Sequence, residues 1–192
     1  MLFSWKAVSQ AILALALLIG GLSEGERQPG VRNHTLEQTN FHMSSEFDQT
    51  QPLMATDFRI YDKQSNPVNL VDFRGRPVIV NFWASWCNPC KSEMPLIDDA
   101  YLAYGDDIEF LIIDLVDHYR ETELSGLAYV ENKGFSFPIY FDLNTEVAFA
   151  YQIKAIPITY FINITGEISK VHKGIMSEND LEDGINAIIS LR

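Results

Sequence analysis

Residues 78–83 read Val-Ile-Val-Asn-Phe-Trp, an almost unbroken apolar run, and the chain's two cysteines, Cys87 and Cys90, follow directly after it. A run of that kind is what a parallel strand buried on both faces requires, because crossover helices cover both of its sides. A helix that begins near Cys87 sets the two sulfurs one turn apart and facing the same way. Strand, cysteine pair and helix in that order already demand an α/β architecture. With 2 cysteines in all, a disulfide-stapled scaffold and a four-cysteine zinc site within one chain are excluded.

The rest of the pattern agrees. Residues 58–61 and 68–70, joined by a turn over 62–67, predict a β-hairpin. The helix from Cys87 runs to about Tyr104, with Pro95 bending it after the second turn. A second buried strand is expected over 108–115, then a helix over 121–133 that closes at Gly134. A short strand over 138–141 and a short helix over 145–151 come next. Strands over 158–162 and 167–171 flank the turn Asn163-Ile164-Thr165-Gly166. Ser177 with Asp180 forms a capping box that opens a last helix to Ile189. This order predicts a central mixed β-sheet flanked by helices on both faces, with an N-terminal β-hairpin.

The 192 residues, 47% hydrophobic and 12% aromatic, suffice for one packed domain and a tail. A formal net charge of -12 repels phosphate backbones, so nucleic acid is excluded as a partner. Residues 7–22 carry no charge and Lys6 precedes them. That is the pattern of an N-terminal membrane anchor or of an export signal. The anchor is the preferred reading, giving a single-pass protein of the cell membrane with its folded domain on the extracytoplasmic side. Secretion after signal cleavage is the alternative. Residues 23–51 turn polar and read as a flexible linker, which leaves 52–192 as the folded domain. The sequons at Asn33 and Asn163 read as chance.

At a helix N-terminus the unpaired amides and the dipole favour a thiolate, which makes Cys87 the natural nucleophile and Cys90 its resolving partner. Pro89 stiffens the first turn without losing a needed donor, and Trp83 and Trp86 form an apolar collar around the sulfur. Half of a zinc site is the rival reading. It describes a metal-handling protein using both thiols with His118 or His172. A peroxide-reducing redoxin is a third reading, although its Thr/Pro-x-x-x-Cys context is absent around Cys87.

The stretch Asn81-Phe82-Trp83-Ala84-Ser85-Trp86-Cys87-Asn88-Pro89-Cys90-Lys91-Ser92-Glu93-Met94-Pro95 resembles the active-site segment of the extracytoplasmic TlpA/ResA thiol-disulfide oxidoreductases. Asn69 to Pro77 resembles their approach segment, and Ala155-Ile156-Pro157-Ile158-Thr159-Tyr160-Phe161-Ile162 resembles their cis-proline loop. The resemblance implies a thioredoxin-like fold and no bound cofactor. It makes Cys87 the attacking and Cys90 the resolving cysteine of a redox-active disulfide. It gives Pro157 the cis bond, has Ile156 offer backbone groups to a bound peptide, and sets Trp86, Asn88 and Pro89 beside the client. Asn81 stands where cytoplasmic thioredoxins keep a buried aspartate, so the resemblance moves proton transfer to Asp117, with Asp114 as competitor. The absence of a histidine between the cysteines favours a reductant. By the same resemblance the partners are disulfide-containing extracytoplasmic clients, such as apocytochrome c, and a CcdA-type membrane electron donor.

Overall fold

The structure is a computed structural model that describes residues 52–189. The anchor or signal expected over 1–22 and the linker expected over 23–51 lie outside the described residues. Among the described residues, no helix is long and apolar enough to cross a membrane.

Strands β1 (Arg59–Tyr61) and β2 (Pro67–Asn69) form the expected hairpin, and a 3-10 turn follows over Leu70–Phe73. Then come β3 (Val78–Trp83), α1 (Asn88–Tyr104), β4 (Glu109–Leu115), α2 (Glu123–Lys133), β5 (Ile139–Asp142) and α3 (Glu146–Ala150). Strands β6 (Ile158–Ile162) and β7 (Ile168–Lys173) and helix α4 (Glu178–Ile189) complete the domain. The strands of the described residues form one 7-stranded mixed sheet in the order β2-β1-β5-β4-β3-β6-β7.

Strand β3 lies between parallel β4 and antiparallel β6, which accounts for its apolar run: every one of its residues is buried. Alternation along the strand sends Ile79, Asn81 and Trp83 to one face and Val78, Val80 and Phe82 to the other. The first face packs against α1, α2 and α4 through Met94, Ile97, Val130, Leu181 and Ile185. The second packs against α3 and the hairpin region through Val147, Ile60 and Leu70. Helix α2 ends at Gly134, whose left-handed φ of 71° donates its N–H back to Val130 and Glu131. The Asn163 side chain is spent inside its own turn, accepting from Thr165 and Glu167 and donating to Glu167.

Candidate functional site: a cysteine pair at a helix N-terminus

Cys87 is the N-cap of α1, with Pro89 in the first turn, so the chain leaves β3 and starts the helix within a few residues. The Cys87 amide closes that turn on Ala84 O at 3.0 Å. Its carbonyl accepts from Lys91 N at 3.0 Å. Its Sγ accepts the Cys90 N–H at 3.2 Å, one of the orphan donors of the first helical turn. Cys87 and Cys90 are joined as a disulfide. Cys87 is 4% exposed and Cys90 is fully enclosed, so the outer sulfur is the one a partner reaches. When the disulfide opens, the Cys90 N–H and the helix N-terminus both favour negative charge on Cys87.

The second wall comes from the loop before β6. The Ile156–Pro157 bond is cis, and Ile156 O lies 3.8 Å from Cys87 Sγ. Pro157 O accepts Gly174 N at 2.9 Å, which ties this loop to the end of β7. A groove of about 590 Å³ continues from Ile156 and Pro157 past Tyr151, Lys154, Lys173 and Gly174. Asn88 and Pro89 are exposed on the other side of the sulfurs.

Beneath the cysteines sits a polar cluster sealed from solvent. Glu93, three residues beyond Cys90 and therefore on the same side of α1, is 1% exposed. Its Oε1 accepts from Asn81 Nδ2 at 2.9 Å and its Oε2 accepts Met176 N at 2.8 Å. Asn81 Nδ2 also donates to Thr159 Oγ1 at 2.9 Å. Burial pushes the Glu93 carboxyl above its ordinary range, against the opposing pull of the Met176 and Asn81 donors. A carboxyl so placed accepts a proton more readily than an exposed one.

The AhpC/TSA family matches residues 53–171. The thiol-disulfide oxidoreductase ResA of Geobacillus kaustophilus (strain HTA426) is 33% identical over 135 residues, covering 70% of this chain and 75% of that protein. ResA of Bacillus subtilis (strain 168) is 30% identical over 135 residues, covering 70% of this chain and 73% of that one. The chain belongs to the ResA-like thiol-disulfide oxidoreductases of the AhpC/TSA family. Among solved structures, StoA from Bacillus subtilis superposes with a TM-score of 0.59 at 27% identity, over 70% of this chain and 99% of that one. The fold is thioredoxin-like, the activity is thiol-disulfide oxidoreduction, and the Cys87–Cys90 pair is its redox centre.

In this ResA-like chain Asp117, the expected proton acceptor, stands in a different setting from Glu93. The Asp117 carboxylate is partly exposed and caps the turn that follows β4. Its Oδ1 accepts the amides of Tyr119, Arg120 and Glu121, and its Oδ2 pairs with Arg120 Nε at 3.3 Å. These donors hold it well below the usual carboxylate range, so it is a poor base. Asp114, its competitor, is fully buried, and burial, with the neighbouring Glu121 second, pushes it up to about 9.

The collar around the sulfur is also asymmetric. Trp83 is fully buried against Tyr129, whereas Trp86 is 42% exposed, with the Arg120 guanidinium 4.2 Å above its ring. His118 Nε2 contacts Leu143 O at 2.8 Å, and His172 contacts Ile175 O at 3.1 Å and Asp180 at 3.8 Å. Among the described residues, no cluster of three or more metal-ligating side chains forms. Sequence reasoning missed Glu93. Its spacing of three from Cys90 on an apolar helix face was the signal that could have found it.

Proposed function

We propose that this chain is an extracytoplasmic reductase of protein disulfides. The observation that carries the reading is the pairing of an outer sulfur, which accepts a helix N-terminal amide, with an enclosed sulfur one turn later beside a buried carboxyl. In the reduced protein the Cys87 thiolate attacks one sulfur of a client disulfide. A Cys87–client bond forms as the client S–S bond breaks and releases one client thiolate. Cys90 then gives its proton to Glu93 and attacks Cys87 Sγ, releasing the second client thiolate and closing the Cys87–Cys90 bond. Two electrons pass from the enzyme to the client, and the client thiolates take up protons. The carbonyl of Ile156, with Pro157, Trp86, Asn88 and Pro89, forms the rim against which the client strand lies.

Resemblance to the TlpA/ResA proteins supports the finer assignments. These are a client such as apocytochrome c or another exported protein, re-reduction by a CcdA-type membrane carrier, and residues 1–22 holding the domain to the membrane through the linker 23–51. The test is turnover of a disulfide-bonded client by the reduced protein. Cys87→Ser abolishes it, and Cys90→Ala accumulates a Cys87–client mixed disulfide. Turnover that survives Cys87→Ser overturns the reading. An equilibrium potential for the couple near the oxidising ~-120 mV, rather than the reducing ~-270 mV, overturns the direction.

A further inference from the structure

Behind the turn that carries Cys87 lies a pair of carboxyl groups, Asp114 and Glu121, which the exchange between the cysteines does not use. Asp114 stands near the end of β4, paired in register with Trp83, and Glu121 directly precedes Thr122, the N-cap of α2. Both are fully buried, at 0% exposure. They meet at Gly126: a Cβ there would collide with Asp114 Oδ2 and lie 3.5 Å from Glu121 Oε1, so a side chain at this position would displace the Asp114 carboxyl.

Their surroundings differ sharply. Glu121 Oε2 accepts the Ser85 amide at 2.9 Å and the Ser85 hydroxyl at 2.8 Å, while its Oε1 accepts the Ser125 hydroxyl at 3.0 Å. Among the described residues, neither oxygen of Asp114 meets a donor. An acceptor-only set of contacts suits an anion. A buried carboxyl with no donor, set against that anion, is stable only with a proton of its own. The pair therefore holds one proton and one charge between them. Ser85 lies inside the turn closed by the Cys87 amide on Ala84 O, so the grip of Glu121 is transmitted to the sulfur through two residues of chain.

We propose that Asp114 and Glu121 work as a single unit, positioning Cys87 through Ser85 and placing one fixed negative charge behind it that restrains its ionisation and biases the couple toward the reductant. This inference rests on the reductase reading and gives it a physical cause. Other groups lie about the unit: Asp117, with its partner Arg120, from the loop and Ser125 from α2; beyond Trp83, the register partner of Asp114, come Tyr129 and, 5.7 Å over its ring, Lys91 of α1. Asp117 and Arg120 pair with one another at 3.3 Å, and among the described residues neither Asp114 nor Glu121 forms an ion pair.

The experiment follows iodoacetamide alkylation of Cys87 against pH in the reduced full-length chain, with the equilibrium against glutathione measured on the same samples. Asp114→Asn keeps Glu121 ionised, and Glu121→Gln lets Asp114 ionise against the new amide while an oxygen still accepts from Ser85. Each single variant therefore retains one charge, and its alkylation midpoint corresponds to an acid constant within twofold of wild type. The double variant removes the charge. Its acid constant rises about threefold or more, and the glutathione equilibrium moves by the same factor toward the reduced protein, about 14 mV at threefold. A double variant matching wild type overturns the unit, and so does a single variant shifting as far as the double.

Should the double variant fail to fold, the infrared difference between wild type and Asp114→Asn decides. Wild type at neutral pH carries a protonated carboxylic acid stretch that the variant lacks, and its absence overturns the proposal. Loss of client turnover bears on the reductase reading alone, since alkylation needs no client.

Discussion

On the face of the sheet covered by α3 and the hairpin, β3 and β4 contribute Val78, Val80, Phe82, Leu111 and Ile113, and the rings of Phe58, Phe82, Tyr151 and Tyr160 close over them edge to face or tilted. The fully buried carboxylate on that side, Asp142, sits at the strand end and is consumed by the amides of Val147 and Ala148 as α3 begins. On the opposite face the same two strands turn inward Asn81 and Asp114, and the covering elements answer with Glu93 and Glu121. One face is an apolar adhesive. The other accepts the cost of buried polar groups, and both of its polar clusters reach residues of the cysteine-bearing turn or helix. The difference teaches that stability and redox chemistry are separated by the strand's own alternation, one residue apart in sequence and one sheet thickness apart in space.

That separation is open to direct attack. The largest expected effect is on the adhesive face. Phe82→Ala, which removes a fully enclosed ring lying 5.9 Å from Tyr151 and 6.0 Å from Tyr160, should cost roughly 3–5 kcal/mol in denaturant unfolding. The same variant should leave the equilibrium potential of the cysteine couple where it was. A potential that moves with the lost stability breaks the comparison. Next comes Glu93→Gln on the chemical face. Resolution of the client mixed disulfide should slow by about 10²-fold, the lower range for a positioned proton acceptor. Stability should change far less than in Phe82→Ala. A folded variant that loses as much stability as Phe82→Ala yet resolves the mixed disulfide at the wild-type rate would make Glu93 a packing residue.

The third effect is graded with pH. Asp114 holds its proton up to about 9 in the folded chain, against an ordinary value of 3.8. Between those values the folded state binds more protons than the unfolded state, so this group's contribution is complete in acid and is lost as pH rises. The slope is at most about 1.4 kcal/mol per pH unit. Glu93, also raised, acts in the same direction. Stability of the wild type should therefore decline from pH 5 to pH 8, and Asp114→Asn should flatten that decline. An unchanged slope would remove Asp114 from the account.

Much of the architecture was legible because its causes are local. The apolar run of β3, the helix opening at the cysteines, the left-handed closure at Gly134 and the Ser177–Asp180 reciprocity each follow from residues within one or two turns of each other. The polar side of the site was not legible in the same way. Asp117 had the right place in the chain, just past β4, yet three amides of its own turn captured it. Glu121 was expected inside a helix from 121, where a first-turn acid faces water. The helix instead starts at Glu123, which frees Glu121 to turn inward to Ser85, 36 residues away. Glu93 finds Met176 across 83 residues, and Asn81 finds Thr159 across 78.

The amino-acid order alone determined where strands and helices lie, that two sulfurs share one helical turn, and that a helix N-terminus meets the first of them. Hydrophobic periodicity, capping and the breaking residues set these over a few positions at a time. The tertiary structure decided which carboxyls are stripped of water. Ionisation inside a protein depends on every group within reach, and here those groups arrive from distant strands and helices that come together only when the sheet closes.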